Sequence, residues 1–411
     1  MATPYVYADN AATTPLSPAA LDAMMPILTS EFGNPSGIHR IAREAALTLA
    51  GARSRAAKAL GAARAEEVYF TSGGSESDNW ALRGARRRYL DLYGADAPVR
   101  VVTSSIEHHA VLHTCRALEH EGAQVTYLPV DHEGHVSAGD LEAALAANEG
   151  AASGLPGGAP ATALVSIMLA NNEVGTVQDI AALARIAHAH NVPFHTDAVQ
   201  AVGHIPVDVE ALGVDALSVS GHKFHGPRGT GIMYLREGFS IPPLIEGGAQ
   251  ERGERAGTEN LAGIVGLVTA LEEECAGLEE RAARIARLRD GLVRSVLEGA
   301  DGVSYTGDPS SDPARRLPSI ASFVCDDVDG ELLVVLLDRA GVAAATGSAC
   351  STGSTDPSHV LLAMGYGPAR AKGALRLSLS DRITDEELAL LRERVPRTIL
   401  RARSLSGSLA L

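Results

Sequence analysis

Lys223 and Asp197 are the two side chains best suited to chemistry, because each follows a predicted β-strand. Lys223 comes just after the apolar run at 215–219, in the turn sequence Ser-Gly-His-Lys-Phe-His-Gly-Pro. An amine in such a glycine-rich turn suits a Schiff base with a carbonyl compound, whereas most lysines are solvated surface residues. Asp197 ends a buried strand, where a carboxylate needs a cation or hydrogen-bond donors. A protonated pyridine nitrogen is one such partner, and a turn that the aspartate caps is the alternative.

Histidines follow the strand predicted at 99–103. His108 stands at the start of a predicted helix and offers an imidazole at the edge of the sheet. His109 and His113 are four residues apart and share one helix face, a spacing that also suits a metal ion. The sequence supplies no His-Glu-x-x-His motif and no obvious third ligand. We therefore expect a packed or solvated helix face here rather than a metal site.

A phosphate site is predicted where Gly74 and Ser75 precede a helical pattern at 80–93. The glycine-rich turn there follows a strand predicted at 67–71. The start of a helix exposes backbone N–H groups at the positive end of the helix dipole, and such groups bind anions. A plain serine N-cap is the alternative for the same residues.

Cys350 lies in a run of small polar residues at 346–354, which indicates a loop from which a thiolate can act as a nucleophile. Cys115, Cys275 and Cys325 fall within helix or strand patterns, so we expect them to be inert. The four cysteines are far apart and form no Cys-x-x-Cys pair. This spacing disfavours both a disulfide framework and a structural zinc site.

Two further polar groups follow or interrupt predicted strands. Asn172 belongs to a pair of asparagines after the apolar run at 163–169, and such amides either form a turn or donate hydrogen bonds to a ligand. Arg376 stands inside the strand predicted at 375–380. Its guanidinium suits bidentate binding of a carboxylate, but the outward face of an alternating strand fits too, and the residue alone favours that second interpretation.

Composition limits the classes of partner. The chain has 411 residues, with 35 Lys and Arg against 50 Asp and Glu, and its formal net charge is −15. Without a basic cluster, nucleic acid and anionic membrane are disfavoured as partners. The N-terminus lacks a signal-peptide pattern, and no apolar run reaches the length of a membrane span. We therefore expect a cytoplasmic protein.

Strands and helices alternate through the first two thirds of the chain, which predicts an α/β fold with a mostly parallel sheet covered on both sides. Ligands bind such sheets at the carboxyl ends of the strands. A long helical segment at 261–298 leads to a second domain, and we expect an exposed loop at 149–160 and a frayed tail at 404–411. The predicted strands lie at 67–71, 99–103, 124–129, 163–169, 192–196, 215–219, 319–325, 342–345 and 375–380, and the predicted helices at 19–30, 41–60, 80–93, 110–121, 137–147, 180–190, 330–340 and 385–401.

Eight motifs in order resemble the cysteine desulfurases of the NifS/IscS type, which are fold-type-I enzymes dependent on pyridoxal 5'-phosphate (PLP). The resemblance runs almost from end to end of the chain. It implies a large PLP-binding domain at 16–262 and a small domain at 263–411, completed by the N-terminal segment 1–15. The motifs lie at 7–15, 32–36, 71–79, 171–175, 221–223, 255–258, 347–350 and around Arg376.

The resemblance also implies a role for each matching residue. Lys223 would form the Schiff base, Asp197 would pair with the pyridine nitrogen, and His108 would stack on the ring and move protons. Gln200 and Asn172 would bind the ring's polar edge. Arg376, with Asn34 nearby, would bind the substrate carboxylate, and Cys350 would be the nucleophile. The phosphate would be bound by Gly74, Ser75, Ser220, His222 and, from the neighbouring subunit of a homodimer, Thr258.

The implied reaction converts L-cysteine to L-alanine and leaves a persulfide on Cys350. The sulfur would pass to an iron–sulfur scaffold or another acceptor protein, and Cys350 could transiently ligate a cluster on such a partner. Alternatives are a selenocysteine lyase, another PLP-dependent aminotransferase, or an inactive sulfur-transfer scaffold. The chain departs from the pattern at His109, where a lysine is common, and at Asp381, where a glycine is common.

Overall fold

A seven-stranded sheet forms the centre of the larger part of the molecule. The computed structural model describes residues 4–149, 162–347 and 356–409. The strands are β2 (Val68–Thr71), β3 (Arg100–Ser104), β4 (Gln124–Leu128), β5 (Leu164–Ser166), β6 (Phe194–Asp197), β7 (Ala216–Ser220) and β8 (Gly231–Leu235). Their order is β2-β8-β7-β6-β5-β3-β4, and all neighbouring pairs from β7 to β4 are parallel. The predicted α/β fold with a mostly parallel sheet is confirmed.

The sheet is buried on both faces because its strands carry apolar residues without alternation. In β3, Val101 packs into one hydrophobic cluster and Val102 into another, since consecutive side chains point to opposite faces. Helices cover both faces. They are α1 (Pro18–Thr29), α2 (Arg40–Ala59), α3 (Gly74–Tyr93), α4 (His109–His120), α5 (Ala138–Glu149), α6 (Ile180–Ala189), α7 (Val209–Leu212) and α8 (Leu261–Cys275).

Strand β8 has no counterpart among the predicted strands. It lies between β2 and β7 and is antiparallel to both. Its five residues are all buried, with Ile232 in one cluster and Met233 in the other. A five-residue run bounded by a glycine turn is the sequence signal for a buried strand, and it was present here.

A smaller unit packs a second sheet against long helices. Antiparallel strands β9 (Val303–Tyr305), β10 (Ile320–Cys325) and β12 (Ala374–Ser378) form one sheet, and β1 (Val6–Tyr7) pairs in parallel with β11 (Val342–Ala343). Val6 and Ala8 belong to this unit's core, so the N-terminal segment packs there. The helices of this unit are α9 (Leu278–Gly299), α10 (Gly330–Arg339), α11 (His359–Ala363), α12 (Pro368–Ala371) and α13 (Asp385–Leu409).

The helical segment predicted at 261–298 is two helices rather than one. Gly277 adopts a left-handed conformation, with φ of 63°, and follows an extended Ala276, so α8 ends before α9 begins. The apolar residues of α8, including Ile264 and Leu271, pack in the core of the large sheet. Residues on both sides of the predicted boundary between the two domains, at 262 and 263, therefore pack in one hydrophobic core.

The C-terminal segment forms a helix instead of the expected frayed tail. Helix α13 continues to Leu409, beyond the predicted end at residue 401. Val395, Ile399 and Ala402 are buried in the small unit's core, and these contacts anchor the helix past its predicted end. Most of the loop expected at 149–160 lies outside the described residues. Among the described helices, none is long and apolar enough to cross a membrane.

A buried ion pair joins the large sheet to the loop before α8. Arg53 donates two hydrogen bonds to the Glu251 carboxylate, at 2.6 and 2.7 Å, and a third to the Val68 carbonyl at 2.7 Å. The backbone N–H of Phe70 also donates to Glu251, at 3.1 Å. Glu251 itself has a positive φ of 45°, so the pair holds a backbone conformation that is uncommon for a glutamate.

We predict that Arg53→Met destabilises the fold by about 3–5 kcal/mol, because it leaves the Glu251 carboxylate buried without its cation. The measurement is the free energy of unfolding from urea denaturation. Arg40→Met is the matched control, since Arg40 is 79% exposed and pairs with Glu44 on the same helix; we expect it to cost less than about 0.5 kcal/mol. Equal losses in the two variants would contradict the prediction.

Candidate active site

A cavity of about 350 Å³ opens at the carboxyl ends of β6 and β7. Parallel strands bring the residues that follow them to one edge of the sheet, which is why side chains distant in sequence meet there. Ten of the predicted site residues line this cavity: Gly74, Ser75, His108, Asn172, Asp197, Gln200, Ser220, His222, Lys223 and Arg376.

Lys223 is the last residue of a single 3₁₀ turn that follows β7. Its Nζ donates to the carbonyl oxygens of Ala11 and Ala12, at 2.7 and 3.0 Å. Gly221 opens this turn, and a Cβ there would lie 2.6 Å from Leu267 Cδ1, so the turn can pack this closely only with glycine. The N-terminal segment thus binds the amine directly.

Asp197 is the last residue of β6 and is buried. Its Oδ1 accepts a hydrogen bond of 2.9 Å from the Val199 N–H. Burial raises the pKa of this carboxyl to about 6, while the Val199 N–H and the positive charge of Lys223 lower it. The Val199 N–H and the charge of Lys223 therefore favour the ionised form of Asp197 against the effect of burial.

Helix α3 begins at the cavity wall. Gly73 precedes it with φ of 152°, and Gly74 and Ser75 form its first turn. A Cβ on Gly74 would lie 2.5 Å from Val199 Cγ2, so this helix start needs glycine. The exposed N–H groups of the first turn, with the Ser75 and Ser220 hydroxyls, provide several donors suited to an anion.

Two histidines of the cavity, His108 and His222, have lowered pKa values. His108 caps α4, with Nδ1 accepting from the Ala110 N–H at 3.2 Å. Burial and the charge of Lys223 lower the pKa of His108 to about 4. The same two causes lower the pKa of His222 to about 4, and its Nδ1 lies 3.1 Å from Thr13 Oγ1. Both imidazoles are therefore available as proton acceptors.

Arg376 is buried at 2% exposure, although an alternating strand would have placed it in solvent. Strand β12 is buried on both faces, which the alternation pattern did not indicate. The guanidinium donates to Asp9 Oδ1 at 2.8 Å and to the Asn172 carbonyl at 2.9 Å. A cation from the small unit thus lines the cavity formed mainly by the large one.

Three predicted site residues are not among the residues that line the cavity. Asn34 and Thr258 are both exposed on the surface of the chain. Cys350 lies outside the described residues, which resume at Asp356 after Gly347.

The structure adds cavity residues that sequence reasoning missed, namely Asp78, Glu173 and His359. Asp78 is one helical turn after Gly74, so its spacing on the face of α3 was the available signal. Glu173 is buried and accepts a hydrogen bond of 2.5 Å from the Ser358 hydroxyl. Its place directly after Asn172 also linked it to the predicted site.

The rings of His109 and His113 stack on α4, with their centroids 4.9 Å apart. The ring of His359, which is on α11, has its centroid 4.9 Å from that of His109. His359 Nε2 is in hydrogen-bond contact with the Glu107 carbonyl oxygen at 3.0 Å. Among the described residues, these three histidines do not form a group whose ligand atoms converge on one point. The packed helix face remains the interpretation of this cluster.

We predict a histidine-dependent loss of stability in acid. His195, buried between the Ser166 and Ser218 hydroxyls, has its pKa lowered by burial to about 3. Because the unfolded histidine takes up a proton below about pH 6.5, stability is present above that pH and is lost as pH falls. The stability advantage of wild type over His195→Gln should shrink by about 2 kcal/mol between pH 7.5 and pH 5.

The measurement is urea denaturation of both proteins at the two pH values. His113→Gln serves as the control, because His113 is exposed at the surface. The prediction is wrong if the stability difference between wild type and His195→Gln is the same at pH 7.5 and pH 5.

Comparisons with known proteins agree with this geometry. Residues 6–391 match the aminotransferase class-V family. Cysteine desulfurase IscS of Methanosarcina thermophila is 45% identical over 98% of this chain and 93% of its own length. An IscS-like cysteine desulfurase of Mycobacterium tuberculosis is 44% identical over 97% of both chains.

Solved structures agree as well. A NifS-like protein aligns with a TM-score of 0.84 and 36% identity, covering 97% of this chain and all of its own. A structure of SspA in complex with cysteine aligns with a TM-score of 0.75 and 34% identity, covering 91% of this chain and 98% of its own. This chain therefore belongs to the class-V aminotransferase family, and its relatives there include cysteine desulfurases of the NifS/IscS type.

Proposed function

We propose that this chain is a PLP-dependent cysteine desulfurase that converts L-cysteine to L-alanine and passes the sulfur to Cys350. One observation carries the proposal: an amine, a buried carboxylate, an imidazole, a helix start and a buried guanidinium line a single cavity. Each group answers one chemical demand of this reaction. The relatives at 44–45% identity, which are named cysteine desulfurases, support the same activity.

The donor set of the cavity fits PLP. The α3 start with Ser75, Ser220 and His222 would bind its phosphate, and the amine of Lys223 would bind its aldehyde carbon covalently. Asp197 would pair with the ring nitrogen, which makes burying this carboxylate favourable. Gln200 and Asn172 would donate to polar groups on the ring. When bound, PLP supplies an electron sink for the substrate carbon that loses a proton.

The protein groups around the reacting atoms hold and move protons. The amine of Lys223, held by the Ala11 and Ala12 carbonyls in this structure, would accept the Cα proton of the substrate once it no longer binds the cofactor. His108, neutral because burial lowers its pKa, would accept a proton beside the ring. The Asp197 carboxylate would keep the ring nitrogen protonated throughout.

Arg376 would bind the carboxylate of L-cysteine. Its guanidinium is fixed by the Asn172 carbonyl and by Asp9, so its orientation is set before the substrate arrives. Nε of Arg376 is buried and has no hydrogen-bond partner among the described residues, so its N–H is among the donors that a ligand could use. Asn34 would assist at the same carboxylate.

The sulfur step needs a nucleophile, and Cys350 has that role in the proposal. Its thiolate attacks the substrate sulfur, so that a sulfur–sulfur bond forms and the carbon–sulfur bond breaks. The electron pair of the broken bond remains on the substrate carbon, which takes up a proton and becomes the methyl group of alanine. The persulfide then passes its outer sulfur to an acceptor protein, such as an iron–sulfur scaffold.

A homodimer explains why Thr258 is exposed in a single chain. Arg255, three residues earlier, makes an ion pair of 2.8 Å with Glu76 in the first turn of α3. This pair holds the loop against α3 of its own subunit, while Thr258 stays exposed at the surface. Thr258 itself would then reach the phosphate in the neighbouring subunit.

A cytoplasmic location completes the proposal, supported by the reduced state expected for its widely spaced cysteines.

The proposal is tested by incubating the protein with PLP and L-cysteine. We expect alanine and sulfide in equal amounts under a reducing thiol, and a persulfide on Cys350 by mass spectrometry. Cys350→Ser should lose roughly a thousandfold or more of alanine formation, because it lacks the activated nucleophile. Cys275→Ser, altered on α8 away from the cavity, is the matched control and should retain activity.

Unchanged turnover in Cys350→Ser would exclude a persulfide mechanism and leave a different PLP-dependent activity. Turnover with L-selenocysteine alone would identify a selenocysteine lyase. A protein that stays colourless after PLP is added would be a scaffold without catalysis.

The role of Arg376 is tested by Arg376→Lys, which keeps the charge and removes the two-pronged donor geometry. We expect the KM for L-cysteine to rise roughly tenfold to hundredfold, the range for losing a hydrogen bond to a charged group, with PLP still bound. Arg370→Lys is the control, because Arg370 is partly exposed and pairs with Asp326 outside the cavity. A loss in kcat with unchanged KM would contradict this role.

A further inference from the structure

A second carboxyl group lies in the cavity and has no role in the reaction described above. Asp78, on α3, is 1% exposed and lines the cavity. Its Oδ1 is buried and has no hydrogen-bond partner among the described residues. A buried acceptor without a partner is costly if the group is ionised, so the protonation state of Asp78 matters.

Asp78 lies close to the carboxylate that faces the cofactor ring in the proposed function. One ligand atom each of Asp78, Asp197 and His108 lie within 4.8 Å of one another. Two buried carboxylates at this separation repel each other strongly in a medium of low dielectric, and one of them then holds a proton at neutral pH. His108 is neutral here and supplies no charge that would relieve the repulsion.

The surroundings of the two carboxyls differ. Asp197 accepts the Val199 N–H and feels the positive charge of Lys223, and both favour its ionised form. At Asp78 the Ser218 hydroxyl favours the ionised form, whereas burial and the charges of Asp197 and Glu107 oppose it. The negative form is therefore favoured at Asp197 and the neutral form at Asp78.

The remaining ionisable groups near Asp78 do not supply a cation. His195 Nε2 lies 3.8 Å from Asp78 Oδ1, but burial lowers the pKa of His195 to about 3, and Ser166 and Ser218 already bind both ring nitrogens. A charged Glu107 would only add repulsion. Burial first, and the charge of Asp197 second, raise the pKa of Asp78 well above its usual range.

We propose that Asp78 and Asp197 share a single proton, held by Asp78, so that the pair presents one negative charge to the ring nitrogen of the cofactor. Asp78 is then a positioning residue that acts through Asp197, and this role rests on the proposed function. A neutral carboxyl group without a hydrogen-bond partner costs less to bury than a charged one, so protonation lowers the cost of burying Asp78 Oδ1.

The protonation of Asp78 is read by infrared spectroscopy of the full-length protein at pH 7, with and without PLP, in buffer containing a metal chelator. Asp78→Asn should remove part of the C=O band of protonated carboxylic acids. Asp96→Asn, the same change at an exposed surface site, should leave that band unchanged. Glu107→Gln calibrates the band, because burial raises the pKa of Glu107 to about 8. A band of equal intensity in wild type and Asp78→Asn would overturn the proposal.

The cofactor provides the second readout, through PLP titrations followed by absorbance at pH 7.5. Asp197→Asn should weaken PLP binding roughly tenfold or more, since it removes the charged partner of the ring nitrogen. Asp78→Asn should weaken binding by less than that, because an amide is a neutral replacement for a neutral acid. An Asp78→Asn loss as large as that of Asp197→Asn would place the charge on Asp78 and overturn the proposal.

The infrared and PLP-binding measurements distinguish a failure of the shared-proton proposal from a failure of the proposed function on which it rests. If wild type fails to bind PLP or to form alanine, the proposed function is wrong, while the infrared band still decides which carboxyl holds the proton. If wild type is an active desulfurase and the band does not change in Asp78→Asn, the shared proton alone is wrong.

Discussion

The cavity depends on keeping one carboxylate charged inside the protein. Asp197 ends a strand whose other residues are all buried, and an isolated charge there would cost far more than a domain's net stability. The structure offsets this cost with the Val199 N–H, the nearby charge of Lys223 and a cavity that accepts a positively charged ring nitrogen. The shared proton proposed for Asp78 belongs to the same balance, because it limits the buried negative charge to one.

The arrangement that satisfies Asp197 comes from three separate parts of the chain. Strands β6 and β7 end side by side and bring Asp197 and Lys223 to one edge of the sheet. The N-terminal segment closes over them, and the Ala11 carbonyl accepts from both Lys223 and Gln200. Arg376 enters from the small unit and is bound to Asp9 of the same segment. The segment before α1 therefore couples the two hydrophobic cores at the site.

Neutral histidines give the site a defined dependence on pH. Burial lowers the pKa values of His108, His195 and His222, so these rings are uncharged near neutrality and take up protons only in acid. Glu107 shows the opposite shift for the same reason, since burial favours the uncharged form of any group. Three charged groups of the cavity have a proposed partner in the reaction, namely Lys223, Asp197 and Arg376.

Much of this could be predicted without coordinates, because strand and helix periodicity is local. The positions of most strands and helices, the parallel sheet, and the glycine turns before Gly74 and Lys223 follow from patterns within ten to twenty residues. Strand β8 was overlooked although its local pattern was present, and its antiparallel pairing with both neighbours is a tertiary feature. At Gly277 the local pattern failed, because one predicted helix is two.

Contacts between distant residues required the folded chain. Arg376 was ambiguous because a strand's burial on both faces depends on the layers that cover it, not on its own sequence. Asp78 lies in the motif at 71–79 but had no role assigned to it, and its importance arises from its approach to Asp197, 119 positions along the chain. The residue types in the sequence thus indicate which chemistry is available. Which carboxyl groups must share a proton depends on the tertiary structure, because electrostatic coupling depends on distance in space and on burial.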